Sequence, residues 1–138
     1  MSDIRASRAD SRRAAAMNRQ SLIPGPDHPI TITPTSQIVT VRTGDTVIAR
    51  TEHALTLQEA SYPPVQYIPL KDVDQALLRK TESTTHCPYK GDASYYTITL
   101  RDGDLVDAVW TYEQASPAVK EIRDHVAFYT DRVDVEFG

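Results

Sequence analysis

Apolar and polar positions alternate with period two through much of the chain after residue 28, the mark of strands with one buried face. Val39 and Val41 share a face, as do Val47 and Ala49. Tyr96, Ile98 and Leu100 form one stripe, with Thr97 and Thr99 expected to point away. Val106, Ala108, Trp110 and Tyr112 form another, and Val133, Val135 and Phe137 alternate with Asp134 and Glu136. Such stripes predict core packing. Asp131-Arg132 is expected to turn the chain between Phe128-Tyr129 and that last strand. Two hairpin turns resemble each other, one at Thr43-Gly44-Asp45 and one at Asp102-Gly103-Asp104. Glycine suits the positive φ that a tight hairpin demands. Arg42, Gly44, Asp45 and Ala49 recur as Arg101, Gly103, Asp104 and Ala108 at a constant offset of 59. Either a β-β-α unit is duplicated, or two hairpins have converged on the few residue types such turns use.

Helical periodicity is confined to two short stretches. One opens at Asp72, with Gln75 at the capping-box position and Val73, Ala76 and Leu77 on one face. The other opens at Ser116-Pro117 and continues its apolar side through Val119, Ile122 and Val126. His125 is expected near its end, interacting with exposed carbonyls. The predicted fold is therefore mainly β: a compact sandwich-like domain of hairpins with two short helices leaning on a sheet.

Composition sharpens the boundaries. The chain has 138 residues and a net charge of −4, which suits a single domain. The charge is uneven: residues 1–28 carry five arginines and three aspartates, net +2, leaving −6 on the remainder. A basic extension over residues 1–26 is expected to be flexible, with a helical tendency at Ala14-Ala15-Ala16-Met17, or else to dock on the acidic body or a partner subunit. Pro24-Gly25-Pro26 separates it from a globular domain at 27–138. An acidic body argues against nucleic acid. No apolar run reaches the roughly 20 residues of a membrane helix, and no export signal is evident. One cysteine makes no internal disulfide. A cytoplasmic location is expected.

Two segments concentrate unusual chemistry. Ser61-Tyr62-Pro63-Pro64-Val65-Gln66-Tyr67-Ile68-Pro69 is stiff and aromatic, and adjacent prolines exclude a central strand there. The Tyr62-Pro63 bond has access to the cis form. Tyr62 and Tyr67 either wall a pocket or pack their rings on the core. Thr84-Thr85-His86-Cys87-Pro88-Tyr89-Lys90-Gly91-Asp92 carries the sole cysteine. Cys87 reacts only as thiolate, which Lys90 or a protonated His86 would favour; the other reading is a small buried residue beside a turn. Lys90 followed by Gly91 suits an anion, although no P-loop spacing is present. Lys90 is also a cation on an otherwise acidic body. Trp110 either packs in the core or floors a pocket. His28, His53, His86 and His125 are too scattered for a metal site, so no metal or cofactor is expected.

An ordered set of motifs then resembles one family: Tyr62 to Pro69, Asp72-Val73, Thr85 to Gly91, Tyr95, Val109-Trp110 with Tyr112, and His125 to Tyr129. It is the domain-of-unknown-function 427 family, also labelled nucleotidyltransferase-like, and the likeness spans about residues 28–137. The resemblance implies a compact β-dominated domain of bacterial type, among β-tent-like folds, lacking their usual zinc-binding cysteine pairs. The family's motif positions on this chain are Tyr62, Pro64, Tyr67, Thr85, Cys87, Lys90, Gly91, Tyr95 and Trp110. The G-S-x-D-x-D carboxylates of nucleotidyltransferases are absent.

Three functions remain open. The first is a small-molecule site lined by Tyr62, Tyr67, Thr85, Cys87, Lys90, Gly91, Tyr95 and Trp110, with Cys87, Lys90 and Thr85 as catalytic candidates if it is an enzyme. The second is a protein-interaction module, with the arm supporting a homo-oligomer. The third is nucleotidyl transfer.

Overall fold

The computed structural model describes residues 21–138. The helical tendency at residues 14–17, and most of the basic arm, lie outside the described residues. Ten strands follow in order: β1 (Ile30–Pro34), β2 (Val39–Thr43), β3 (Thr46–Thr51), β4 (Leu55–Glu59), β5 (Val65–Pro69), β6 (Leu78–Cys87), β7 (Gly91–Ile98), β8 (Leu105–Thr111), β9 (His125–Phe128) and β10 (Asp134–Phe137). They make a seven-stranded sheet in the order β1-β4-β5-β9-β8-β7-β6 and a three-stranded sheet in the order β10-β2-β3. Every strand pairing is antiparallel. The mainly β expectation holds.

Alternation decides how the large sheet is covered. Successive side chains of a strand point to opposite faces. On β5, Tyr67 and Ile68 are both about 1% exposed, yet they belong to different apolar clusters. On β9, Val126 and Phe128 join one cluster and Ala127 the other. The sheet is thus buried on both faces. One face packs Ile68, Ile98, Val109 and Val126 against Val39, Val41, Ile48 and Ala49 of the small sheet. The opposite face gathers Leu57, Tyr67, Ala93, Tyr95 and Tyr112 under the Ala115–Ile122 segment, where Val119 and Ile122 are fully buried.

The large sheet is split near its middle. β5 and β9 pair only through Ile68↔Val126 and Pro69↔His125. Val65, Gln66 and Tyr67 pair with β4 alone, so beyond Ile68 this edge of β5 has no strand partner. The Tyr62-Pro63 bond is trans, as are the other described peptide bonds.

Several expectations change. Both helical stretches form, but as 3-10 turns: Leu70–Asp72, Gln75–Leu77 and Pro117–Ile122. Asp74 caps the second of these by accepting from the Ala76 N–H, and Asp72 instead accepts the Thr51 hydroxyl at 2.6 Å. Ser116 precedes the third without a side-chain cap. Val126 lies on β9, and the His125 Nδ1 bonds the Arg123 carbonyl that ends the turn. Thr97 is buried, because the β7–β8 register shifts around it and its Oγ1 accepts the Asp107 N–H. Val47 is exposed while Ile48 and Ala49 are both buried, because the β2–β3 register shifts at Val41/Arg42. Both glycine turns exist with different geometry, Gly44 at φ +54° and Gly103 at φ +130°. The two hairpins also lie in different sheets. Asp131 and Arg132 form the expected turn, closed by the Arg132 and Val133 N–H groups on the Tyr129 carbonyl.

Candidate functional site

The aromatic face of the large sheet encloses a chamber of about 270 Å³. Its walls come from β4 (Leu57, Glu59), the proline segment and β5 (Tyr62, Pro63, Val65, Tyr67), the turn before β7 (Lys90), β7 itself (Tyr95), β8 and the residue after it (Trp110, Tyr112), and the residue after β9 (Tyr129). Five of the seven tyrosines of the chain meet there. Strand alternation explains the convergence. Val65 and Tyr67, Trp110 and Tyr112, and Leu57 and Glu59 are same-parity positions, so each pair points to one face.

An ion pair closes one end. Three strands separate β4 from β7 in the sheet order. Even so, Lys90 Nζ donates to Glu59 Oε1, so the sheet curls until its flanks touch. Both side chains are nearly buried, at 10% and 13% exposure. The second Glu59 oxygen bonds His28 Nε2 at 2.7 Å. His28 in turn stacks on Tyr89, with centroids 3.9 Å apart. Burial pushes the Glu59 carboxyl up, but the Lys90 and His28 hydrogen bonds outweigh it and hold the group below its ordinary 4.5. Lys90 also sits 5.9 Å from the Tyr112 ring centroid, in cation–π range. Glu59 is followed by Ala60 at φ +48°, in the left-handed region. The Ala60 N–H is fixed on the Pro29 carbonyl.

Hydrogen bonds tie down three of the phenols. Trp110 Nε1 donates to the Tyr67 hydroxyl at 3.2 Å. The Thr85 and Tyr95 hydroxyls bond each other at 2.8 Å, and Tyr95 bonds Tyr129. The Trp110 and Tyr129 rings lie 4.6 Å apart. Burial raises the Tyr67 and Tyr112 phenols well above their usual range. Burial and the Tyr95 bond push Tyr129 up to about 12. Around neutral pH these groups are hydrogen-bond donors and acceptors, not bases.

Residues 31–138 match the family model described as Domain of unknown function (DUF427), which also carries the name NTP_transf_9. The chain belongs to this family. No curated protein matches the sequence. The second family name suggests metal-dependent nucleotidyl transfer. Among the described residues no three His, Cys, Asp or Glu side chains come together to hold a metal ion, so the residues do not fit such a group.

Of the positions singled out in this DUF427 sequence, Tyr62, Tyr67, Lys90, Tyr95 and Trp110 line the chamber. Thr85 stands behind Tyr95 and buttresses its hydroxyl. Cys87 ends β6 half-buried and packs against the aromatic cluster. Gly91 adopts φ +112° and lies against Gln114 and Ser116, where a Cβ would meet the Gln114 carbonyl oxygen at 3.3 Å. Its role in the structure is to let that turn pack. Lys90 is not a lone cation, since Glu59 neutralises it. Glu59, Tyr112 and Tyr129 were not singled out as chamber residues. Glu59 had a signal: Leu55, Leu57 and Glu59 share one parity, which puts an acid in the apolar phase of a strand. No helix among the described residues is long and apolar enough to cross a membrane.

Proposed function

We propose that this protein binds a small, neutral, ring-bearing molecule in the tyrosine chamber. One observation carries the reading. Five tyrosines and the only tryptophan converge on one concave space whose sole lining cation is already paired. Aromatic walls with a few fixed hydroxyls are how proteins hold flat ligands and set their orientation. An anion would have to compete with Glu59 for Lys90 and would approach a buried carboxylate. A neutral ligand meets neither penalty.

Trp110 reports on the chamber directly, because the chain has no other tryptophan. Phenol is expected to change its fluorescence saturably, and benzoate to bind at least about tenfold more weakly, a discrimination near 1.4 kcal/mol. Val65→Phe, which fills a chamber wall, should abolish the phenol response while thermal unfolding stays cooperative. An unsaturable response to phenol, or tighter binding of benzoate, would count against the reading.

A further inference from the structure

A second concavity of about 830 Å³ adjoins the chamber. It opens where the β5–β9 ladder stops, between the proline segment and β10. The two spaces lie on opposite faces of the large sheet and share the lining residues Tyr62, Pro63, Val65, Trp110 and Tyr129, which stand around the place where the β5–β9 ladder stops. The deeper wall of the groove is hydrocarbon, from Val41, Ile68, Phe128 and Val133. Its mouth carries exposed Tyr62, Tyr129 and Phe137, and these are the only exposed large aromatics among the described residues. Asp134 and Glu136 also line it, on the β10 side. A site of this size falls within the roughly 300–1,000 Å³ that small-molecule pockets occupy.

We infer that the natural ligand is an uncharged amphiphile, with its ring-bearing polar head in the chamber and an apolar chain running out through the split sheet along the groove. The inference rests on the chamber reading and adds the chain. Three features favour this occupant. Trp110 and Tyr129 line both spaces, so one molecule that displaces their ring contact touches chamber and groove together. The hydrocarbon wall and aromatic mouth offer a chain apolar contact along the groove. On the β10 side Glu136 is paired with Arg42, and the Asp134 carboxylate disfavours an anionic tail.

The test is a 4-alkylphenol series, from phenol through 4-butylphenol to 4-octylphenol, followed by Trp110 fluorescence. A fully buried methylene is worth about fourfold in affinity. In a half-open groove, butyl to octyl should gain at least about tenfold. Phe137→Ser changes an exposed residue that lines only the groove. It should leave phenol affinity unchanged and flatten the chain-length dependence. Phenol binding with no chain-length gain would overturn the inference and leave the chamber reading standing. A gain that survives Phe137→Ser undiminished would overturn it as well, since the chain would then lie elsewhere. Failure of phenol and both alkylphenols to bind would sink the two readings together.

Discussion

The two faces of the seven-stranded sheet are both buried, with different chemistry. The face toward the small sheet is aliphatic: Val39, Val41, Ile48, Ile68, Ile98, Val109 and Val126 are each at most 1% exposed. The opposite face buries Tyr67, Tyr95 and Tyr112 together with the Glu59–Lys90 pair. An aliphatic core is stabilised by area and close packing, with no partners to satisfy. The aromatic face must satisfy each hydroxyl and charge it buries, and it leaves a cavity besides. The first face holds the molecule together. The second leaves a concave surface whose buried charges and hydroxyls are held by partners on several strands.

Truncation should separate the faces most sharply. Ile98→Ala removes a fully buried side chain where the sheets meet. It should cost about 2–5 kcal/mol in urea unfolding and leave phenol binding by the folded protein within twofold. A large loss of binding from the folded state would break the division of labour.

The ion pair gives the next largest effect and a different signature. Lys90→Met leaves a nearly buried carboxylate with His28 as its remaining partner and should cost about 3 kcal/mol. Adding Glu59→Gln should recover much of that, because two neutral side chains replace a half-broken pair. An additive double variant would mean that the two groups do not stabilise each other. The acid dependence follows from the lowered Glu59 pKa. The unfolded carboxyl, near 4.5, takes up protons more readily than the folded one. The stabilisation is therefore complete above about pH 4.5 and fades as pH falls through the folded value. The stability gap between the parent and Glu59→Gln should narrow as pH falls below about 4.5.

The aliphatic face was more legible in sequence than the aromatic one, for a physical reason. Val39/Val41 and Val133/Val135 announce themselves by alternation, and the structure uses them so. Alternation fails where the register shifts, at Val47 and at Thr97, because a bulge changes phase without a marker in composition. Helical spacing in Asp72–Leu77 did not ensure an α-helix. One three-residue turn ends at Asp72 and another spans Gln75–Leu77, since a stretch this short is governed by its contacts more than by propensity. At the site, rigid and unusual residues such as Tyr62, Lys90 and Trp110 were visible as candidates. Lys90's partner was not, because Glu59 lies 31 residues upstream and reaches Lys90 only through the curl of the sheet. Thr85 and Gly91 stand out equally in sequence, yet they support the site from outside its lining.

The smallest effect probes how the aromatic face is held in shape. Ala60 follows Glu59 with φ +48°, a conformation that costs an L-residue about 1–2 kcal/mol and glycine almost nothing. Its N–H bond to Pro29 and the Glu59 bonds to Lys90 and His28 hold the turn in place. Ala60→Gly removes the steric penalty but frees the unfolded chain, which offsets part of the gain. The net expectation is a stabilisation of up to about 1 kcal/mol, with Glu59 still on Lys90 and phenol binding unchanged. Ala60→Val, β-branched in the same conformation, should destabilise instead. Urea titration of the two variants gives the sign of each. If glycine destabilises as valine does, the left-handed turn is not a store of strain, and what positions Glu59 is the ion pair alone.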